Sequence, residues 1–102
     1  MADWKRFCVY IMASAPRGIL YVGVTTDVAA RSWEHRTGVV EGFTDRYEVR
    51  RLVYFEFHDD AAAANARERR LKRWRRDWKI QLIETNNPTW RDLFDEVVYS
   101  HG

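Results

Sequence analysis

Two tyrosines, an arginine and a histidine stand out in the first third of the chain. Tyr10 lies in "FCVYIMA" and Tyr21 in "ILYVGV", runs of aromatic and β-branched residues that read as strands. Arg31 and His35 follow in "VAARSWEHR"; a spacing of four puts both on one helix face. A guanidinium offers a fixed fork of donors for a phosphate, and an imidazole takes a proton near neutral pH. A phenol is a poor base at its ordinary pKa of about 10, so it needs a nearby cation or a group to pass its proton to. These are the parts of a site that cuts a phosphodiester. They are equally the parts of an ordinary sheet with aromatic packing and a solvated helix face. Gly23 shares a strand face with Tyr21 and would let a backbone approach closely, as a phosphate strand crossing the sheet requires.

A second feature is electrostatic. The chain has 102 residues and a net charge of +2. Within it, "RERRLKRWRRDWK" (67–79) holds eight Lys/Arg and two acids. A basic patch concentrated on one element is the footprint of a polyanion binder. Arg67, Arg70, Lys72, Arg73, Arg75 and Arg76 form the expected track for a nucleic-acid backbone, which rewards charge without reading sequence. Trp74 and Trp78 are i,i+4 neighbours that could stack on bases. A helix needs a core face, however, and we assign both to packing, as we do Trp4, Trp33 and Trp90.

The elements that must position these residues are legible. Strands are expected at 7–13 and 19–24, joined by the turn "SAPRG" with Pro16 and Gly18. Asp27 caps a helix over "VAARSWEHR", which Gly38 ends. Residues 39–49 read as a loop. "RRLVYFEFH" (50–58) alternates, with Leu52, Tyr54 and Glu56 on one face and Val53, Phe55 and Phe57 on the other. Asp59 or Asp60 caps the helix "AAAANARERRLKRW". "DWKIQLIETNN" continues as a second helical segment, with Trp78, Leu82 and Ile83 suited to burial. Pro88 opens a last short helix through Trp90, Leu93, Phe94 and Val97, and "YSHG" is a tail. The order predicts an α+β fold, a small sheet with helices around it, in a single domain over 1–102.

Composition narrows the classes. Hydrophobic residues make up 46%, which fits a globular chain and not a disordered one. Cys8 is the only cysteine; no internal disulfide can form, and its apolar strand makes it a buried small hydrophobe. No apolar run approaches a signal peptide or a membrane span, so a cytoplasmic protein without a membrane partner is expected. Ser14, Thr25, Thr26 and Thr44 form no nucleophile constellation, and the histidines lack zinc-site spacing.

With the motifs in order, the chain resembles the GIY-YIG nuclease superfamily. Val9-Tyr10-Ile11 and Tyr21-Val22-Gly23 are similar to its paired tripeptides, with Val9 in place of Gly and Val22 in place of Ile. "TTDVAARSWEH" resembles the helix that carries its arginine and histidine, and "GFTDRY" the loop of its small stand-alone members. "RERRLKRWRRDWKIQLIETNNPTWRDL" resembles their C-terminal half. The likeness spans residues 7–94.

The resemblance implies a three-stranded antiparallel sheet flanked by helices. It implies phosphodiester hydrolysis with one divalent cation, Mg²⁺ or Mn²⁺. By residue matching, Tyr21 falls on the candidate general base, Tyr10 on the neighbouring site tyrosine, and Arg31 on the phosphate-contacting arginine. His35 falls on the helix polar residue that follows, Tyr47 on a loop tyrosine and Glu68 on the metal-binding glutamate. Mg²⁺ commonly takes one or two carboxylates and completes its shell with water and substrate phosphate, so one glutamate suffices. The ordinary alternative for Glu68 is an i,i+4 ion pair with Lys72. Asn65, one turn earlier, lines the same helix side. The expectation is an endonuclease acting on DNA ahead of RNA, with repair or recombination as a family-level analogy. The rivals are a non-catalytic nucleic-acid-binding module on the same fold and a protein-interaction adaptor.

Overall fold

A computed structural model describes residues 6–37 and 46–99. Three strands, β1 (Phe7–Ala13), β2 (Leu20–Thr25) and β3 (Arg51–His58), form one antiparallel sheet in the order β2-β1-β3. Four helices flank it: α1 (Val28–Thr37), α2 (Ala61–Arg73), α3 (Arg76–Asn86) and α4 (Phe94–Tyr99). This is the α+β architecture expected.

The central strand explains why the sheet has a core on each face. Residues from Cys8 to Ala13 are all buried, because helices cover both faces of β1. Val9, Ile11 and Ala13 face a core with Ala64 and Leu71 of α2 and Ile83 of α3. Cys8, Tyr10 and Met12 face the other, with Val28 of α1 and Leu93 and Val97 at the C-terminal end. Strict alternation on a strand buried on both sides produces this division. Each fully buried aliphatic side chain adds roughly 1.5–3 kcal/mol of hydrophobic stabilisation.

β3 departs from the expected alternation. Its register against β1 shifts between Ile11 and Met12, which pair with Tyr54 and Leu52. Val53 is the extra residue of a β-bulge. Leu52 therefore joins Phe55 and Phe57 in one core, while Val53 and Tyr54 share the other. An extra residue in one strand flips the side-chain parity beyond it.

The helix starts follow their caps. Asp27 Oδ1 accepts from Ala30 N at 3.1 Å. For α2 the cap is Asp60, whose Oδ1 accepts from Ala63 N at 2.7 Å. The last helix begins at Phe94 and not at Pro88. Asn87 to Trp90 form a turn instead, closed by Trp90 N donating to Asn87 O at 3.1 Å, with Pro88 at the position its fixed φ favours. Asp92 Oδ1 then accepts from Phe94 N at 3.0 Å. Gly38 and most of the 39–49 loop lie outside the described residues. Among the described residues, no helix is long and apolar enough to cross a membrane.

Candidate nuclease site

The β1–β2 register places Tyr10 opposite Gly23 and Met12 opposite Tyr21. Tyr10 and Tyr21 thus sit diagonally on the same sheet face, their ring centroids 6.3 Å apart. α1 crosses that face and lowers His35 onto both. His35 lies 6.0 Å from the Tyr10 ring and 5.5 Å from the Tyr21 ring. Its Nε2 is 3.5 Å from the Tyr10 hydroxyl, at the long limit of a hydrogen bond.

The space at Gly23 belongs to this cluster. A Cβ there would stand 2.5 Å from both Cζ and the hydroxyl oxygen of Tyr10. The opening expected for a nucleic-acid backbone is therefore filled by the Tyr10 ring. Gly23 is small so that Tyr10 can lie flat across β2.

The electrostatics keep both groups neutral near pH 7. Burial, and then the neighbouring Tyr21 phenol, push the Tyr10 hydroxyl well above the ordinary phenol range. His35 is pushed below the ordinary imidazole value, first by burial and then by Arg31. Its Nδ1 is buried without a hydrogen-bond partner, as is Ser32 Oγ three residues earlier. Arg31 is close enough to act on both groups, yet its own side chain is 43% exposed and pairs with Glu34 at 3.2 Å. A neutral imidazole against a phenol, with a guanidinium at the rim, can accept a proton beside a bound anion.

Glu68 comes from the other layer. It lies on α2 between Ala64 and Leu71, which pack on the opposite sheet face. Its carboxylate is 14% exposed and paired with Lys72 Nζ at 2.5 Å, the i,i+4 pair named above as the ordinary alternative. Among the described residues, no three His, Cys, Asp or Glu side chains converge on one point. A mostly enclosed carboxylate neutralised by one flexible lysine is still a hard oxygen donor. It fits a Mg²⁺ or Mn²⁺ that draws its remaining ligands from water and phosphate.

The basic residues divide. Arg67 is turned inward: Nε and Nη2 donate to Glu56 at 2.9 and 3.2 Å. The same carboxylate accepts from the Tyr54 hydroxyl at 2.6 Å and lies 2.6 Å from His58 Nε2. This β3–α2 network was not expected from the sequence, and it takes Arg67 out of the phosphate track. Arg76 Nη2 donates to the carbonyls of Arg17 and Gly18 in the β1–β2 turn. Arg75 pairs loosely with Asp77 at 3.4 Å, both largely exposed. Arg70 and Arg73 are exposed on the last turn of α2 and make no ion pair among the described residues. Tyr47 is 43% exposed, with the Arg46 guanidinium 5.7 Å from its ring; it stands on the chain leading into β3. Asn65 is exposed.

The comparisons with known proteins agree with this build. The family model of the GIY-YIG catalytic domain matches residues 6–81. The chain is 40% identical over 76 residues to a UPF0213 protein of Haloquadratum walsbyi, covering 74% of this chain and 84% of that one. It is 33% identical over 79 residues to a UPF0213 protein of Clostridium perfringens, covering 78% and 84%. It is 34% identical over 76 residues to one of Staphylococcus aureus, covering 74% and 92%. No solved structure matches. With the match extending from the start of β1 into α3, the chain belongs to the GIY-YIG family, and at family level this supports a nuclease-type phosphodiester hydrolase that acts on nucleic acid with a divalent metal.

Proposed function

We propose that this protein is a metal-dependent endonuclease of the cytoplasm that hydrolyses phosphodiester bonds, in DNA ahead of RNA. The observation that carries the reading is the Tyr10–Tyr21–His35 cluster with Arg31 at its rim. Arg31 binds the scissile phosphate through its guanidinium and exchanges its Glu34 partner for the substrate. Tyr21, only partly buried, meets the attacking water. Tyr10 keeps its proton, since burial holds its hydroxyl in the neutral form. Tyr21 takes the proton of the attacking water as it gives up its own, and neutral His35, its ring 5.5 Å from that of Tyr21, is the acceptor.

Glu68 would hold the divalent cation once Lys72 moves aside. When bound, that ion supplies Lewis-acid neutralisation of charge on the phosphate oxygens. Tyr21 stands on β2, an edge strand, and α2 packs against the same strand, so the scissile phosphate is proposed to lie along that edge. Arg70, Lys72, Arg73 and Arg75 extend the contact along the backbone. Tyr47 is proposed to close the site from the loop side.

The test is cleavage of labelled single-stranded, duplex, nicked and branched DNA, and of RNA, in Mg²⁺, Mn²⁺ or EDTA. Glu68→Ala and Tyr21→Phe, checked for folding by circular dichroism, should each cut at least ~10²-fold more slowly than the parent. Equal rates would refute the reading. Binding without cutting on every substrate would leave a nucleic-acid-binding module, with the same residues as a phosphate-docking site.

A further inference from the structure

The helices α2 and α3 meet at Trp74, and beside that junction lies an open cleft of about 420 Å³. Its walls are Trp74, Trp78, Gln81, Leu82 and Thr85. Trp78, Gln81, Leu82 and Thr85 follow the i, i+3, i+4, i+7 stripe of one α3 face. The sequence assigned both tryptophans to packing. Trp74 does pack partly against the core, but Trp78 is 46% exposed. The two indoles meet edge to face, 6.0 Å apart at 86°. Arg67 holds its guanidinium 5.2 Å from the Trp74 ring, and Arg75 holds one 4.8 Å from the Trp78 ring.

We infer that this cleft is a base-binding site, separate from the tyrosine cluster, that takes one unpaired nucleobase of a nucleic-acid strand. The half-exposed Trp78 ring, with Trp74 set at a right angle beside it, offers stacking, which any base accepts because every base has a π-face. Gln81 is exposed; its backbone carbonyl accepts from the Thr85 hydroxyl at 2.8 Å, which leaves its side-chain amide to offer both a donor and an acceptor to a base edge. The cationic residues around the cleft fix the class of occupant. Arg73 and Arg75 flank Trp74 directly in the chain, and Arg70 lies one turn before it. A second apolar protein face would have to cover these charges. A polyanion with flat rings satisfies the charges and the indoles together. A base within a duplex has its edge paired and its faces stacked, so the occupant is unpaired. The inference rests on nucleic acid being the partner but is independent of cutting.

The test measures binding of fluorescent single-stranded 12-mers and of matched duplexes in EDTA, so that no cleavage intervenes. Trp78→Ala should weaken single-strand binding on the order of tenfold, with duplex binding changed by less than about twofold, and Trp78→Phe should restore most of the loss. Parent fluorescence should be quenched by a normal 12-mer and far less by an abasic one. Single-strand and duplex affinities that both match the parent in Trp78→Ala would overturn the inference and leave the nuclease reading intact. A parent dimer that Trp78→Ala converts to monomer would overturn it in favour of a self-interface. A parent that binds no nucleic acid would overturn both readings.

Discussion

At the scale of single residues, Tyr10 is held between two constraints, the His35 ring above it and the absent side chain of Gly23 beside it. Gly23→Ala should cost about 1–3 kcal/mol, the usual range for an overpacked core, because the new methyl collides with the phenol. The damage should also reach the chemistry, since Tyr10 must leave its place against His35. Chemical denaturation measures the first effect and nuclease rate the second; a variant as stable and active as the parent would show that the ring has room to move. The types and spacings of Tyr10, Tyr21, Arg31 and His35 made this cluster legible in the sequence. Strand parity and helix period act locally, and both held in this stretch. What fills the space beside Gly23 was not legible, because it depends on which residue the neighbouring strand sets opposite. Arg67 was misjudged for the same reason. Its partner Glu56 is 11 residues away and comes within reach only when α2 folds back on β3. The exposure of Trp78 likewise follows from the angle at which α3 leaves Trp74, and that is a tertiary property.

At the scale of elements, α2 is the member on which the proposed metal site and the basic track both depend. It is rich in charge and has only Ala64 and Leu71 fully buried. Its first turn has no acidic side chain, so Asp60 alone offsets the exposed N–H groups there. Asp60→Ala should therefore cost about 1 kcal/mol, within the usual range for a lost N-cap. Asp59→Ala should be near neutral, and paired urea titrations of the two variants decide between them. The sequence narrowed the cap to these two aspartates but could not separate them. The separation depends on where β3 ends, and β3 carries a bulge that no alternation pattern reveals. The start of α4 was misplaced for a related reason. Pro88 suits the first turn of a helix and the second position of a β-turn equally well, and the buried Asn87 selects the turn. Asn87 donates to Val53 O at 3.1 Å and to Arg91 O at 2.9 Å, bonds that a helix beginning at Pro88 would break.

At the scale of the whole molecule, several displaced proton equilibria set a pH window for stability. His35 is depressed below 6.5 in the fold. On acidification the unfolded chain takes up that proton first, so stability falls as pH drops below about 6.5 and stops falling once the folded imidazole is protonated. Glu84, held at about 2 by Arg17 and Trp90, adds a second loss below about 4.5. Cys8 and Tyr54, both raised to about 12 by burial, act in the opposite direction. Their unfolded forms ionise from about 9 upward, so stability also declines in alkali. Thermal melts from pH 4 to 10 should trace a plateau centred near neutrality. His35→Gln should remove the step that begins near 6.5 and leave the others; persistence of that step would assign it elsewhere. The same global view bears on the β1–β2 turn. Surface turns are ordinarily the cheapest places to add residues. Here Arg17 grips Glu84 at 2.9 Å through two nitrogens, and Arg76 grips the carbonyls of Arg17 and Gly18. An epitope tag or a grafted loop inserted at this tip would unfasten the tyrosine-bearing hairpin from α3, so protein engineers seeking an insertion point should leave this turn alone.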